Sequence, residues 1–143
     1  MRQLTRSALI AQPPERVYAL VADVVSYPQF VPGCSGAEIT ERDAQSLVAR
    51  LKVHKGPLST TLSTRNRYRP HERIELELVE GPLKSLQGAW SFTPVGANGC
   101  RIELHLEYEF ANALKAAIFE PLIEGTASAM VQAFVARAQQ QRA

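Results

Sequence analysis

After Gly33, apolar and polar residues alternate with a period of two, as strands with one dry and one wet face do. Leu47, Ala49, Leu51 and Val53 share one side against Val48, Arg50, Lys52 and His54, and Lys55-Gly56-Pro57 turns the chain. Leu58, Thr60, Leu62 and Thr64 then oppose Ser59, Thr61, Ser63 and Arg65, and Arg69-Pro70-His71-Glu72 turns the chain back into Ile74, Leu76 and Leu78. Gly81-Pro82 opens a loop before Leu86, Gly88, Trp90 and Phe92, whose common parity places them on one inward face. Asn98-Gly99 predicts a hairpin turn with positive φ at both positions. The most regular strand comes last, with Ile102, Leu104, Leu106, Tyr108 and Phe110 against Arg101, Glu103, His105, Glu107 and Glu109.

Helical patterns flank this meander. Residues 4–11 predict a first strand, and Pro13-Pro14-Glu15 starts a helix with Val17, Leu20 and Val21 as its stripe, proline being tolerated in a first turn. Tyr27-Pro28 and Val31-Pro32-Gly33 then break the chain into a short helical elbow. Residues 113–141 predict one long helix with Asn112 as N-cap, bent or divided at Pro121. The wheel puts Ile118, Phe119, Leu122, Thr126, Ala129, Met130 and Ala133 toward the sheet and Glu120, Glu124 and Ser128 away from it. The predicted fold is therefore α+β: a seven-stranded curved antiparallel sheet wrapped around a long C-terminal helix, in the order strand, two helices, six strands, helix. A chain of 143 residues suits one such domain, spanning 1–143.

Small residues in the middle of the helix face leave two readings open. Gly125, Thr126, Ala129 and Ala133 would lie over Thr60, Thr64 and Gly88. That permits either close helix–sheet packing or a cavity of several hundred Å³, a usual size for small-molecule pockets. In the second reading Leu62, Leu76, Trp90, Leu104, Ile118, Leu122, Gly125 and Ala129 line the cavity. Those walls suit an isoprenoid tail, and the lack of a buried charge favours a neutral quinone over a fatty acid.

Composition and charge narrow the chemistry. An apolar fraction of 45% and a net charge of +2 imply neither a membrane protein nor strong capture of nucleic acid, so no DNA partner is expected. No apolar run long enough to cross a bilayer occurs, and the N-terminus reads directly into a strand pattern, so the cytoplasm is the expected location. His54, His71 and His105 are scattered, and Cys34 and Cys100 lack metal-ligand spacing and read as reduced thiols, so no metal site is expected. No nucleophile elbow is present, and the strand glutamates fall on the wet face, so no catalytic residue is nominated. Arg50, Lys52, Arg65 and Arg67 form a basic counterpart that can contact RNA, although Arg65 facing Glu75 across strands accounts for much of it.

The segment from Val21 to Cys34, VADVVSYPQFVPGC, resembles the helix-elbow signature of START-like proteins of the coenzyme Q-binding group, which also contains the bacterial ribosome-association toxins. The likeness continues through Thr64-Arg65-Asn66, Gly81-Pro82-Leu83, Leu86-x-Gly88-x-Trp90-x-Phe92 and Ala133–Ala138, and so covers essentially the whole chain. It implies a helix-grip (START or Bet v 1-like) fold. It further implies either binding of a polyprenyl quinone such as ubiquinone, or a similar lipid, or association with the large ribosomal subunit that blocks subunit joining. Peripheral membrane contact is compatible with the first role. Family labels of polyketide cyclase require catalytic groups in the cavity, and none is identified. Gly33 stands where the family commonly has tryptophan, and Leu83 where it has phenylalanine. With Phe30, these two are expected to border the cavity mouth.

Overall fold

The computed structural model describes residues 1–141. Strand β1 (Arg2–Ile10) leads into helix α1 (Pro14–Ala22) and a single 3₁₀ stretch (Val24–Gln29). The meander follows: β2 (Cys34–Arg42), β3 (Ser46–Lys55), β4 (Leu58–Arg69), β5 (Arg73–Glu80), β6 (Ser85–Val95) and β7 (Gly99–Glu109). Helix α2 (Ala113–Gln140) closes the fold. The seven strands make one sheet in the order β1-β7-β6-β5-β4-β3-β2, and every pair is antiparallel, as the alternation predicts.

Local chemistry curves this sheet. Register shifts interrupt β2–β3 at Cys34/Gly36 and Ile39/Glu41, and β4–β5 at Ser63/Thr64, and each irregularity bends its strand. On β6, a Cβ at Gly88 would lie 2.0 Å from the His105 carbonyl oxygen and 2.9 Å from Leu106 Cα, so only glycine lets β6 approach β7 this closely. The β3–β4 turn is the two-residue Gly56-Pro57 with Gly56 at φ +60°. The β6–β7 turn departs from expectation. Val95 pairs with Gly99, so the loop is Gly96-Ala97-Asn98, and Gly96 rather than Asn98 or Gly99 takes the positive φ, at +63°. The three-residue loop moves the left-handed position to its first residue.

Inside the curve, Ile102, Leu104, Leu106, Tyr108 and Phe110 are all buried, as are Leu86, Trp90 and Phe92. Helix α2 is capped by Asn112, whose Oδ1 accepts from the Lys115 N–H at 2.9 Å, and it runs through Pro121 undivided. Phe134 is fully buried, with the rings of Trp90, Tyr27 and Phe30 edge-on at 5.4, 5.5 and 5.8 Å.

The wheel places the helix face only in part: Leu122, Met130 and Ala133 are buried and Thr126 lines the hollow as expected, whereas Ile118 is exposed and Ile123, Ala127, Val131 and Phe134 are buried without having been assigned to that face. The buried side chains are Leu122, Ile123, Ala127, Met130, Val131 and Phe134, with Ala116, Ala133 and Ala138. Glu120, Glu124 and Ser128, expected to point away from the sheet, lie along β1 instead. Arg2 pairs with Glu120, Arg6 Nε donates to Ser128 Oγ at 2.9 Å, and Arg6 lies 4.0 Å from Glu124. An alanine-rich helix has apolar surface nearly all round, so the wheel separates its faces poorly, and these polar contacts to β1 accompany the burial of Ile123 and Phe134 on the face it takes.

Phe134→Ala should cost about 3–5 kcal/mol by urea unfolding, because it empties the centre of the aromatic cluster. Leu114→Ala should stay within about 0.5 kcal/mol, since Leu114 is 70% exposed. Cys100 has no solvent exposure, and burial pushes its thiol up to about 11. The unfolded thiol ionises near ~8.5, so the unfolded chain releases its proton first. Stability should therefore fall between about pH 8.5 and 11, and Cys100→Ala should reduce that slope in melting temperatures taken across the range.

Candidate functional site

Between the concave sheet and α2 lies a hollow of about 90 Å³. Strands β4 to β7 each send an inward residue to its wall: Leu62, Leu76, Trp90 and Leu104. Helix α2 covers it with Ile123, Thr126, Ala127 and Met130, an i, i+3, i+4, i+7 stripe. Val24 and Tyr27 of the 3₁₀ stretch close one part of it. No charged side chain lines it. Three polar positions interrupt the apolar wall, at Thr64, Asn66 and Thr126. Thr64 Oγ1 donates to Asn66 Oδ1 at 2.7 Å, and Asn66 is only 6% exposed. The Tyr27 hydroxyl donates to the Val21 carbonyl, and burial holds its ionisation well above the ordinary tyrosine range.

The volume is smaller than the several hundred Å³ that the small residues led us to expect. Water occupies about 30 Å³ per molecule in the liquid, and a ~150 Å³ apolar cavity accepts benzene. A substituted quinone ring therefore needs wall movement. Met130 has three rotatable bonds to supply it, and Leu51 and Leu62 are only half-buried.

Of the eight expected lining residues, the structure brings together Leu62, Leu76, Trp90 and Leu104. The four on α2 lie elsewhere. Ile118 is 42% exposed, Leu122 is buried outside the hollow, and Ala129 is half-buried. Gly125 sits under Lys55, whose Nζ would be 3.5 Å from an added Cβ. The expected mouth residues also miss the hollow. Phe30 packs on Phe134 beneath the Arg137 guanidinium, 5.0 Å from its ring centroid. Gly33 takes φ +83° in the turn before β2, where a tryptophan would be strained, and Leu83 is buried in the core. Asn66 was missed as a site residue, and Thr126, expected on the sheet-facing side of the helix, was not named among the lining residues. For Asn66 the signal was present: an amide on the inward parity of Leu62 and Thr64.

The basic outer face is largely ion-paired. Arg50 lies 2.7 Å from Glu38, Arg65 2.9 Å from Glu41 and Arg67 3.4 Å from Glu77, whereas Lys52 has no carboxylate partner among the described residues. Arg65 does not face Glu75. The loop Pro70-His71-Glu72 closes on an Arg69–Arg73 pair, which sets Arg65 opposite Glu77 and Arg67 opposite Glu75. Arg65 reaches across Val48 of β3 to Glu41 of β2 instead. Among the described residues no three His, Cys, Asp or Glu side chains gather as a metal site, and no helix is long and apolar enough to cross a membrane.

A curved sheet gripping a long helix around an uncharged hollow defines a START-like protein. Residues 10–135 match the family described as polyketide cyclase/dehydrase and lipid transport, and the chain belongs to it. It is similar to the ribosome association toxin RatA of Escherichia coli K12, with 44% identity over 98% of this chain and 89% of that one. It is also similar to the mitochondrial coenzyme Q-binding protein COQ10 of Drosophila melanogaster, with 25% identity over 94% of this chain and 57% of that one. Among solved structures, the ZhuI aromatase/cyclase of Streptomyces superposes with a TM-score of 0.91 over 99% of this chain and 96% of that one. At 21% identity that likeness establishes the shared fold.

In a double-mutant cycle, Arg65 and Glu41 should couple by about 0.2–1 kcal/mol, as exposed pairs do, and Arg65 and Glu75 should not couple at all. Urea unfolding of the single and double alanine variants checks both values.

Proposed function

We propose that this chain associates with the ribosome, as its RatA relative is named for doing, and that it does so through the large subunit. The observation that carries the reading is the 44% identity spread over 98% of the chain, far above the 25% shared with the coenzyme Q-binding protein of Drosophila. The small hollow points the same way, because a surface role requires no wall movement. The outer face of β3 and β4 offers Arg50, Lys52, Arg65 and Arg67 as the contact surface. Exposed ion pairs are weak, so an RNA phosphate can draw these arginines away from Glu38, Glu41 and Glu77.

A second reading is favoured by the lining itself. The hollow is apolar, uncharged and walled by the single tryptophan, which suits a neutral lipid-like molecule such as ubiquinone. The two roles use different parts of the molecule and can coexist.

Co-sedimentation separates them. Wild type should pellet with isolated large subunits at low salt and be released as salt rises, because phosphate contacts displace counterions. The double variant Arg50→Glu/Arg65→Glu should lose at least about tenfold in apparent affinity, which corresponds to two lost phosphate contacts and two new repulsions. Ala127→Leu, which fills the hollow, should pellet like wild type. No pelleting of wild type at any salt concentration would refute the ribosome reading.

A further inference from the structure

An apolar pocket has no need of a buried amide, yet Asn66 stands in the wall among leucines. Its carboxamide oxygen is satisfied by Thr64 Oγ1 at 2.7 Å. Its nitrogen carries two N–H donors, and no acceptor for them is found among the described residues. Tyr68, the next inward residue of β4, lies beside Asn66 just outside the lining of the hollow, and its hydroxyl is sealed from solvent with no well-aligned hydrogen bond, although the Asn66 amide lies within its reach. Buried polar groups are seldom left unpaired, because the desolvation cost is not recovered. The Tyr27 hydroxyl, also in the wall, gives its proton to the Val21 carbonyl, and no hydrogen bond from Asn66 to its oxygen is formed among the described residues.

The unused amide donors of Asn66 are neutral and sit in a wall without cations. They match a neutral acceptor, a carbonyl oxygen, and not a carboxylate or phosphate, which would remain an uncompensated charge. Asn66 and Leu62 are four residues apart on one strand face, a span of about 13 Å, so an acceptor held at Asn66 leaves an apolar track toward Leu62 and Val53.

We propose that Asn66, with Tyr68 beside it, is the hydrogen-bond anchor that seats a ring carbonyl of a neutral quinone-type ligand in the hollow. The inference rests on the ligand-binding reading given above. It assigns the polar end of the ligand to β4 and its hydrocarbon tail to the Leu62 end.

The test uses ubiquinone-1, which quenches indole emission, and follows Trp90, the single tryptophan, in the hollow wall. Asn66→Leu keeps the side-chain size and removes the donors, and Tyr68→Phe removes one oxygen. Asn66→Leu should weaken ubiquinone-1 about two- to tenfold, the range of one neutral hydrogen bond. Tyr68→Phe should weaken it less. Prenylbenzene, which has no carbonyl, should displace the quinone with the same inhibition constant from wild type and both variants. Unchanged ubiquinone-1 affinity in both variants would overturn the anchor while leaving ligand binding intact. An equal loss for prenylbenzene would also overturn it, since the hollow itself would then have collapsed. Absence of quenching in wild type would overturn the ligand reading and the anchor with it.

Discussion

The contact between β6 and β7 at Gly88 governs the shape of this molecule. Backbone meets backbone there with no space for a side chain, under the helix that the sheet wraps. Trp90 and Leu104, paired across the same two strands, face inward by parity, where both line the hollow and Trp90 meets Phe134 of α2. Substituting any larger residue at Gly88 would push the strands apart and flatten the concavity on which the helix rests. The bulges in β2–β3 and β4–β5 extend the same curvature toward the other edge.

Helix α2 is held from two sides by different forces. Toward the sheet it buries Ile123, Ala127, Met130 and Phe134. Along β1 it is tied by Arg2 to Glu120 and by Arg6 to Ser128, and Glu120 also accepts from the Tyr108 hydroxyl at 3.1 Å. These ties are individually weak and partly exposed. They add to the apolar face, which sets the rotation by burying Leu122, Ile123 and Phe134.

Much of the fold was legible because a period of two is hard to mistake over so many residues, and because Gly56-Pro57 and the Asn112 cap have local causes. The helix phase was not. From Ala113 onward alanines and a glycine dilute the contrast between faces, so the wheel has no sharp minimum, and the ties to β1 come from arginines more than a hundred residues earlier in the chain. Leu62, Leu76, Trp90 and Leu104 lie in the wall of the hollow because strand parity alone sets their side. The helix half failed with Ile118, Leu122, Gly125 and Ala129. The Arg65 partner was missed for a related reason: the turn sets the register, which puts Glu77 two residues beyond Glu75 opposite Arg65, and a reach straight across Val48 to Glu41 leaves no trace in spacing.

The irregular outer strand β2 has a consequence for behaviour at high concentration. A sheet that does not close on itself leaves a bare backbone edge, which invites edge-to-edge stacking into aggregates. Here that edge carries two bulges, Gly36, and the exposed charges Glu38, Glu41 and Arg42. A second copy approaching it finds an uneven hydrogen-bonding row and charged side chains in the way. The same distortions that curve the sheet around its helix thus also blunt its open edge against pairing with a second copy.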